Sequence, residues 1–318
     1  MPQNKLNNQE ADMRYVLMLL LSGHHPKLEL MDVEYYQIRD AQAGVRYLLQ
    51  VEELFNLVLG NYVDFEKTLL DVALECSVYQ NSDYKTFHGY RYEVERRILN
   101  LLSAGRSYLD QAPQRIEDFM GSESAALKAF RDETHTQYDS SLGYRVMECL
   151  RNYVQHRGLP VGKLSVPCWV DQNAPEHRLR TTITPYLMVS RLEEDGGFKK
   201  IVLDELRAMP NDDLDLKPFI RDYVAALGKV HLALRDTLAS TQAEHIRLLN
   251  ETVERYRQSG AEHTSPLAIA YIDKNGIAKE HFPIFLEAVN QLEWLQQRSR
   301  HLEHLRKISV SSEIYGER

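Results

Sequence analysis

The chain is poor in cysteine. Its 318 residues contain only Cys76, Cys149 and Cys168, which lie far apart and form no Cys-x-x-Cys pair. An odd number of cysteines at these spacings suggests neither a disulfide framework nor a zinc site built on thiolates. The chain is therefore expected to belong to a reducing compartment.

Metal-site patterns of other residue types are also lacking. Two histidine pairs, at residues 24–25 and at residues 301 and 304, have no third ligand at helical or hairpin spacing. The acidic cluster at residues 212–215 lacks the spaced ligands and the glycine of a calcium loop. The sequence predicts no metal site and no cofactor.

Long apolar runs are absent as well. No stretch approaches the roughly 18 apolar residues that a membrane-spanning helix needs. The longest run, from Tyr15 to Leu21, follows a segment of mixed charge and leads into Ser-Gly-His-His-Pro without a small-residue cleavage pattern. We expect this run to be a short buried strand or helix in a cytoplasmic protein with no membrane partner.

Positive charge is not in excess overall. Lys and Arg number 38 against 46 Asp and Glu, which gives a formal net charge of −8. This balance disfavours a protein that coats nucleic acid through bulk charge, so any nucleic-acid site must be a local patch. Such a patch exists between residues 143 and 180, where basic residues outnumber acidic ones. The basic residues are Arg145, Arg151, Arg157, Lys163, Arg178 and Arg180.

The first half of the chain carries a helical pattern. Apolar residues recur at spacings of three and four over 31–59 and again over 64–78. Further helices are predicted over 90–111, with Pro113 as a stop just beyond, over 124–138 and over 141–157. Gly158 and Pro160 provide the stop for the last of these helices.

The composition changes near residue 159. β-branched and aromatic residues over 163–170 and 179–189 predict strands, and residues 198–209 and 216–258 predict helices. A hairpin is predicted from 267–272 to 277–282 around Asp273-Lys274-Asn275-Gly276, and a last helix over 285–308. We expect a mainly α protein with an N-terminal segment over 1–30, a helical domain over 31–158 and a smaller α+β domain over 159–318.

The predicted helix over 141–157 separates its side chains cleanly. A wheel of about 100° per residue gathers one apolar arc: Val146, Met147, Leu150, Tyr153 and Val154. The opposite arc is polar: Arg145, Glu148, Arg151, Asn152, Gln155 and His156. Asn152 and His156 lie four residues apart and therefore on one face, where the amide can orient the imidazole. A face of this kind is most often simply solvated, so the wheel alone leaves both interpretations open.

The string Arg151-Asn152-Tyr153-Val154-Gln155-His156 matches the R-[N/H/D]-x-x-x-H motif of HEPN domains. The resemblance covers residues 31–158 in helix number and order, but its sequence-specific part is this one helix. It implies a four-helix bundle with the motif late on the last main helix. It also implies a homodimer that cleaves RNA without a metal at a cleft between two motif helices.

The resemblance implies a role for each motif residue. His156 acts as general base or acid in attack by the ribose 2′-hydroxyl, and Arg151 holds the scissile phosphate. Asn152 orients His156 or the ribose. Arg145, Gln155, Arg157 and Lys163 are the expected substrate-binding residues. The position two past the motif histidine is Gly158, whereas the toxin branch regulated through tyrosine carries Tyr there.

Three functions follow from these observations. The first is a metal-independent endoribonuclease, in defence or stress response, with RNA as its partner. The second is a catalytically silent HEPN-like dimer that binds RNA or protein. The third is a structural dimer in which the polar face forms an interface network. An inhibitor or antitoxin protein stays open as a further partner.

Overall fold

The computed structural model describes residues 14–80, 83–172, 178–273, 276–302 and 305. These residues are mainly helical, with a small region of antiparallel sheet, which confirms the predicted mainly α class. No helix in them combines the length and the apolar composition that crossing a membrane demands.

Four helices occupy the first half of the chain and four the second half of its described residues. They are α1 (Asp32–Tyr79), α2 (Tyr84–Met120), α3 (Ala125–Ser140), α4 (Leu142–His156), α5 (Val189–Asp195), α6 (Lys200–Arg207), α7 (Leu216–Arg257) and α8 (Leu286–Arg298). The predicted helices over 31–59 and 64–78 are one continuous helix, α1. The predicted helix over 285–308 is confirmed only as α8, which ends at Arg298, and residues 299–302 are not helical. Residues 303–304 and 306–308 of the predicted range lie outside the described residues.

The prediction that Pro113 lies beyond the end of its helix is wrong. Pro113 lies inside α2, which continues to Met120. Proline removes one helical hydrogen bond and crowds the preceding turn. Ala112 and Ile116 are buried on either side of it, at 0% and 3% exposure, so packing of this segment offsets the lost bond.

The described strands are β1 (Arg14–Leu19), β2 (Lys27–Leu30), β3 (Lys163–Ser165), β4 (Cys168–Asp171), β5 (Arg178–Thr181), β6 (Thr184–Met188), β7 (Asp213–Asp215), β8 (Leu267–Ile272) and β9 (Ala278–Ile284). They form sheets in the orders β2-β1-β8-β9, β3-β6-β7 and β4-β5. The run from Tyr15 is therefore a strand. The predicted hairpin is confirmed as β8 and β9, although Lys274 and Asn275 of its turn lie outside the described residues.

The chain forms two compact units, each assembled from separate segments. Among described residues, the first unit comprises the chain up to Glu53, Asp118–Gly121 and Arg235–Ser299. The second comprises Leu54–Glu117, Ser122–Leu234 and the chain from Arg300. Because units defined by contacts do not show which segments fold independently, the domain boundaries expected after residues 30 and 158 stay a prediction.

The first unit is built on the four-stranded sheet. β1 pairs antiparallel with β8 from the other end of the chain, with Val16 opposite Ala270. Val16, Leu17 and residues 267–270 are almost completely buried. Burial on both faces of β8 explains its continuous apolar sequence.

The second unit contains the other sheets and the helix that carries the Arg-Asn-x-x-x-His motif. Its core includes a fully buried histidine, His231, whose ring stacks on Phe55 with centroids 4.0 Å apart. The Nδ1 atom of His231 lies 3.0 Å from the hydroxyl of Tyr108. A buried imidazole needs such a partner, because an unpaired polar group in a core costs free energy.

Candidate functional site

Helix α4 carries the motif and has well-defined ends. The hydroxyl of Ser141 accepts a hydrogen bond from the backbone N–H of Tyr144 at 3.1 Å and caps the helix N-terminus. At the other end, the backbone N–H of Arg157 donates to the carbonyl of Tyr153 at 2.8 Å. These ends agree with the predicted helix over 141–157 to within one residue.

The predicted apolar arc of α4 is buried. Val146, Met147 and Leu150 are completely buried and Tyr153 is 2% exposed, while Val154 is partly exposed. Tyr153 also donates its hydroxyl hydrogen to Asp195 in α5. Burial is the main cause that raises the pKa of Tyr153 to about 12, and the bond to Asp195 adds to it. One face of α4 is therefore fixed in the core of the second unit.

The C-terminal half of the opposite face of α4 meets solvent. Asn152, Gln155 and His156 are exposed, and Arg151 is partly exposed. Nη1 of Arg151 donates to Oδ1 of Asn152 at 2.9 Å. Within the described part of the chain, no hydrogen bond joins Asn152 to His156, so the amide engages the guanidinium and not the imidazole. The exposed face therefore presents an arginine held by Asn152 and, five residues further on at the other edge of the face, a histidine.

Two expected substrate-binding residues are exposed beside the motif. Gln155 lies on the α4 face and Arg157 follows as the C-cap residue. The Arg157 side chain passes close to Gly197, where an added Cβ would come within 3.1 Å of its Nε atom. Gly197 has a φ of +81°. A side chain at position 197 would therefore be strained and would also displace Arg157.

Arg145, another expected substrate-binding residue, is engaged in the fold. Its Nη1 atom donates to the carbonyls of Tyr138 and Asp139 at 2.8 and 2.9 Å. Its Nη2 atom donates to Glu205 in α6 at 2.6 Å, and its side chain is only 16% exposed. These contacts join the end of α3, α4 and α6, which indicates a structural role.

Lys163 is likewise paired. Its Nζ atom donates to Asp213 at 2.7 Å and lies 5.4 Å from the centre of the Tyr186 ring. The bond to Asp213 raises the pKa of this lysine, so it carries its charge. Lys163 lines a cavity of about 180 Å³ with His88 and Arg91 of α2. It is positioned by β3 and not by α4.

A larger cavity, of about 310 Å³, lies in the second unit between α2, α3 and α4. Its lining includes Arg106 of α2, Arg131 and His135 of α3, and Tyr144 and Glu148 of α4. We call this space the α2–α4 cavity. Sequence reasoning placed Glu148 on the polar arc but assigned it no role. The spacing of Tyr144, Glu148 and Arg151, four and three residues apart, already indicates one stripe along α4.

Glu148 is a partly buried carboxylate that lines this cavity. Oε1 accepts from the hydroxyl of Tyr223 at 2.9 Å, and Oε2 lies 3.8 Å from Nη1 of Arg106. Burial raises the pKa of Glu148, while the Tyr223 bond and the charges of Arg106 and Arg151 lower it. The influence of Arg151 means that the motif and this carboxylate share one electrostatic environment.

Among the described residues, no group of three or more His, Cys, Asp and Glu side chains is arranged to hold a metal ion. Cys76, Cys149 and Cys168 are all free. Comparisons of the chain with models of protein families, with characterised proteins and with solved structures find no match. The geometry of α4 and its surroundings is therefore the basis for assigning a function.

Proposed function

We propose that this protein is a metal-independent endoribonuclease of HEPN type that acts through Arg151, Asn152 and His156. The proposal includes the HEPN helical bundle and a homodimer in which two α4 helices face one cleft. One observation carries it: the motif's guanidinium and imidazole both lie on the solvent face of α4, and the guanidinium is held by Asn152 at 2.9 Å.

The reaction is attack of the ribose 2′-oxygen on the adjacent phosphorus. The P–O2′ bond forms and the P–O5′ bond breaks, which leaves a 2′,3′-cyclic phosphate and a 5′-hydroxyl. His156 takes the 2′-hydroxyl proton, and His156 of the partner subunit gives a proton to the leaving O5′. Imidazole suits both roles because its ordinary pKa lies near neutrality.

Arg151 acts on the charge that develops on the phosphate. The pentacoordinate transition state carries an additional negative charge on its nonbridging oxygens, and a planar guanidinium can bind two of them together. The bond to Asn152 uses one N–H of Arg151 and leaves other donors for the phosphate. Attack by the 2′-hydroxyl makes the reaction specific for RNA over DNA.

Gln155 and Arg157 are the side chains most available to bind the RNA backbone, because both are exposed next to the motif. Arg145 and Lys163 could contribute only after leaving Glu205 and Asp213. We therefore assign Arg145 and Lys163 a structural role and a contribution to the local positive potential. Arg151 and Arg157 are the residues that contact phosphate directly.

One observation favours a second candidate, a catalytically silent RNA-binding dimer. Asn152 holds Arg151, and no described residue is hydrogen-bonded to His156, so nothing fixes the orientation of its imidazole in the single chain. A partner subunit or the RNA itself has to supply that restraint for cleavage. Without such a restraint, the arginine and its neighbours still form a phosphate-binding surface.

The test is a cleavage assay with RNA and DNA oligonucleotides of one sequence, in the presence of EDTA. The wild-type protein should cut only the RNA, and His156→Ala and Arg151→Ala should each lower the rate by roughly 100-fold or more. His263→Ala is the matched control, because His263 is an exposed histidine of the first unit. Full activity in His156→Ala contradicts the proposal, and binding without cleavage selects the silent dimer.

A further inference from the structure

The α2–α4 cavity has a charged rim. Arg131 and His135 are exposed, and they stand one helical turn apart on α3, so their side chains project from the same face. Neither forms an ion pair or hydrogen bond with any residue in the described part of the chain. Two donors without protein partners at one mouth are suited to an anionic group, and a guanidinium can bind a carboxylate through two N–H groups.

The floor of the cavity is aromatic. Phe130 and Tyr144 close it and are each only 2% exposed, while Leu109, Pro113 and Tyr138 of its wall are partly exposed and offer apolar surface to a ligand. Tyr138 stands at the α3 end, edge to face with Tyr144 at a centroid distance of 6.4 Å. Walls of this kind favour a flat aromatic ring, because ring–ring contacts add to the burial of apolar area.

One carboxylate oxygen in the cavity is left without a hydrogen bond. Glu148 uses Oε1 to accept from Tyr223, while Oε2 has only Arg106 at 3.8 Å, beyond hydrogen-bond distance. The Glu148 side chain is 19% exposed and lines the cavity, so this oxygen can accept from a ligand. A phenol or ring N–H would give it a strong, charge-assisted bond.

From these three features we infer that the α2–α4 cavity is a binding site for a small aromatic acid that carries a hydrogen-bond donor on its ring. The acid group binds Arg131 and His135, the ring packs against Leu109, Pro113 and Tyr138, and the donor reaches Oε2 of Glu148. The cavity volume of about 310 Å³ lies at the lower end of the range for ligand pockets, roughly 300–1,000 Å³. That size fits a single substituted ring.

This site is distinct from the proposed cleavage chemistry and does not depend on it. It does lie on the same stripe of α4, since Glu148 precedes Arg151 by three residues and Arg151 acts on the pKa of Glu148.

The experiment is calorimetric titration of the wild-type protein with 4-hydroxyphenylacetate. Two matched probes separate the contributions: phenylacetate lacks the ring donor, and 4-hydroxybenzyl alcohol lacks the acid group. We expect 4-hydroxyphenylacetate to bind, and both other probes to bind at least about tenfold more weakly, as expected for loss of one charge-assisted contact.

Variants connect this binding to the cavity. Arg131→Ala combined with His135→Ala should weaken 4-hydroxyphenylacetate about tenfold or more, and Thr134→Trp should block it by filling the space. Lys128→Ala is the control, because Lys128 is an exposed cation of α3 that pairs with Asp132 and does not line the cavity. A thermal melt of each variant establishes that it is folded.

Two results would overturn the inference. One is the absence of 4-hydroxyphenylacetate binding to wild-type protein at concentrations up to about 10 mM, the limit of weak specific affinity. The other is equal binding by the Arg131/His135 variant and the Lys128 control. Titration of the His156→Ala protein keeps the two proposals apart, since ligand binding should persist there whether or not RNA is cleaved.

Discussion

Arg151 and Asn152 are adjacent in the sequence and joined through their side chains, with Nη1 of the arginine 2.9 Å from Oδ1 of the asparagine. The bond restricts a long side chain that would otherwise sample many rotamers in solvent. The sequence suggested that Asn152 would orient His156 or the ribose. The structure gives the asparagine a different partner, and with it a role in holding the guanidinium that we propose binds the phosphate.

Asn152→Ala should therefore act through Arg151. We expect kcat/KM for RNA cleavage to fall about tenfold, because the guanidinium loses its fixed position, with little change in stability at an exposed site. Asn152→Asp is the conservative control, since it keeps the acceptor and Asp also satisfies the motif. An activity in Asn152→Ala equal to that of the wild type would show that the bond has no part in function.

The N-terminus of α4 depends on one buried hydroxyl. Ser141 is 3% exposed, and Ser141→Ala removes the acceptor for the N–H of Tyr144. We expect a loss of about 1 kcal/mol in the free energy of unfolding, the typical cost of a lost N-cap. Ser140→Ala, at the exposed neighbour, should change it by no more than about 0.5 kcal/mol. Urea denaturation measures both, and equal effects would contradict the capping role.

Much of α4 could be predicted from its sequence, because amphipathic spacing, a serine cap and a Gly-Pro stop all act locally. The burial of Val146, Met147 and Leu150 follows from that spacing. The partner of Arg145 could not be predicted, since Glu205 lies 60 residues away and only the folded chain brings them together. Periodicity also does not specify side-chain rotamers, and the rotamers determine that Asn152 contacts Arg151.

The sheet of the first unit shows the same limit. The apolar run from Tyr15 indicated a buried strand or helix, but nothing local identifies β8, about 250 residues later, as its neighbour. Pairing of distant strands depends on register and shared burial that a single segment does not encode. The prediction for Pro113 failed for the opposite reason. Proline is a strong local signal for the end of a helix, but packing of the residues on both sides of Pro113 keeps α2 continuous.

A buried ion pair stabilises the first unit. Arg235 and Glu52 form two parallel hydrogen bonds, of 2.7 and 2.5 Å, with side chains only 13% and 5% exposed. Arg235→Met should cost about 3–5 kcal/mol, because it leaves a buried carboxylate without its cation. Arg247→Met, in an exposed pair with Glu251, should cost at most about 0.5 kcal/mol. Chemical denaturation gives both values, and similar costs would argue against this ranking.

Glu95 should make stability depend on pH. It is 2% exposed, and burial raises its pKa above the ordinary 4.5, against the lowering effect of Arg91, Arg191 and His88. The folded state therefore favours the protonated form. The stability that the protonated Glu95 contributes is complete at pH values below its ordinary pKa. It is lost as the pH rises through the pKa of Glu95 in the folded state.

Glu95→Gln removes this titration while keeping the shape of the side chain. We expect the variant to gain stability relative to the wild type as the pH increases from about 4.5 to 8, with the two nearly equal at the acid end. Urea midpoints across this range measure the difference, and Glu93→Gln provides a partly exposed control on the same helix. A difference that shrinks with rising pH would reverse the assigned sign.

The most direct test of the α4 chemistry uses a DNA oligonucleotide that contains one ribonucleotide, incubated with wild-type and His156→Ala protein in EDTA. We predict a single cut by the wild type, on the 3′ side of the ribose, that yields a 2′,3′-cyclic phosphate and is absent with His156→Ala. Cleavage at deoxynucleotides, a product with a 5′-phosphate, or undiminished cutting by His156→Ala would contradict it.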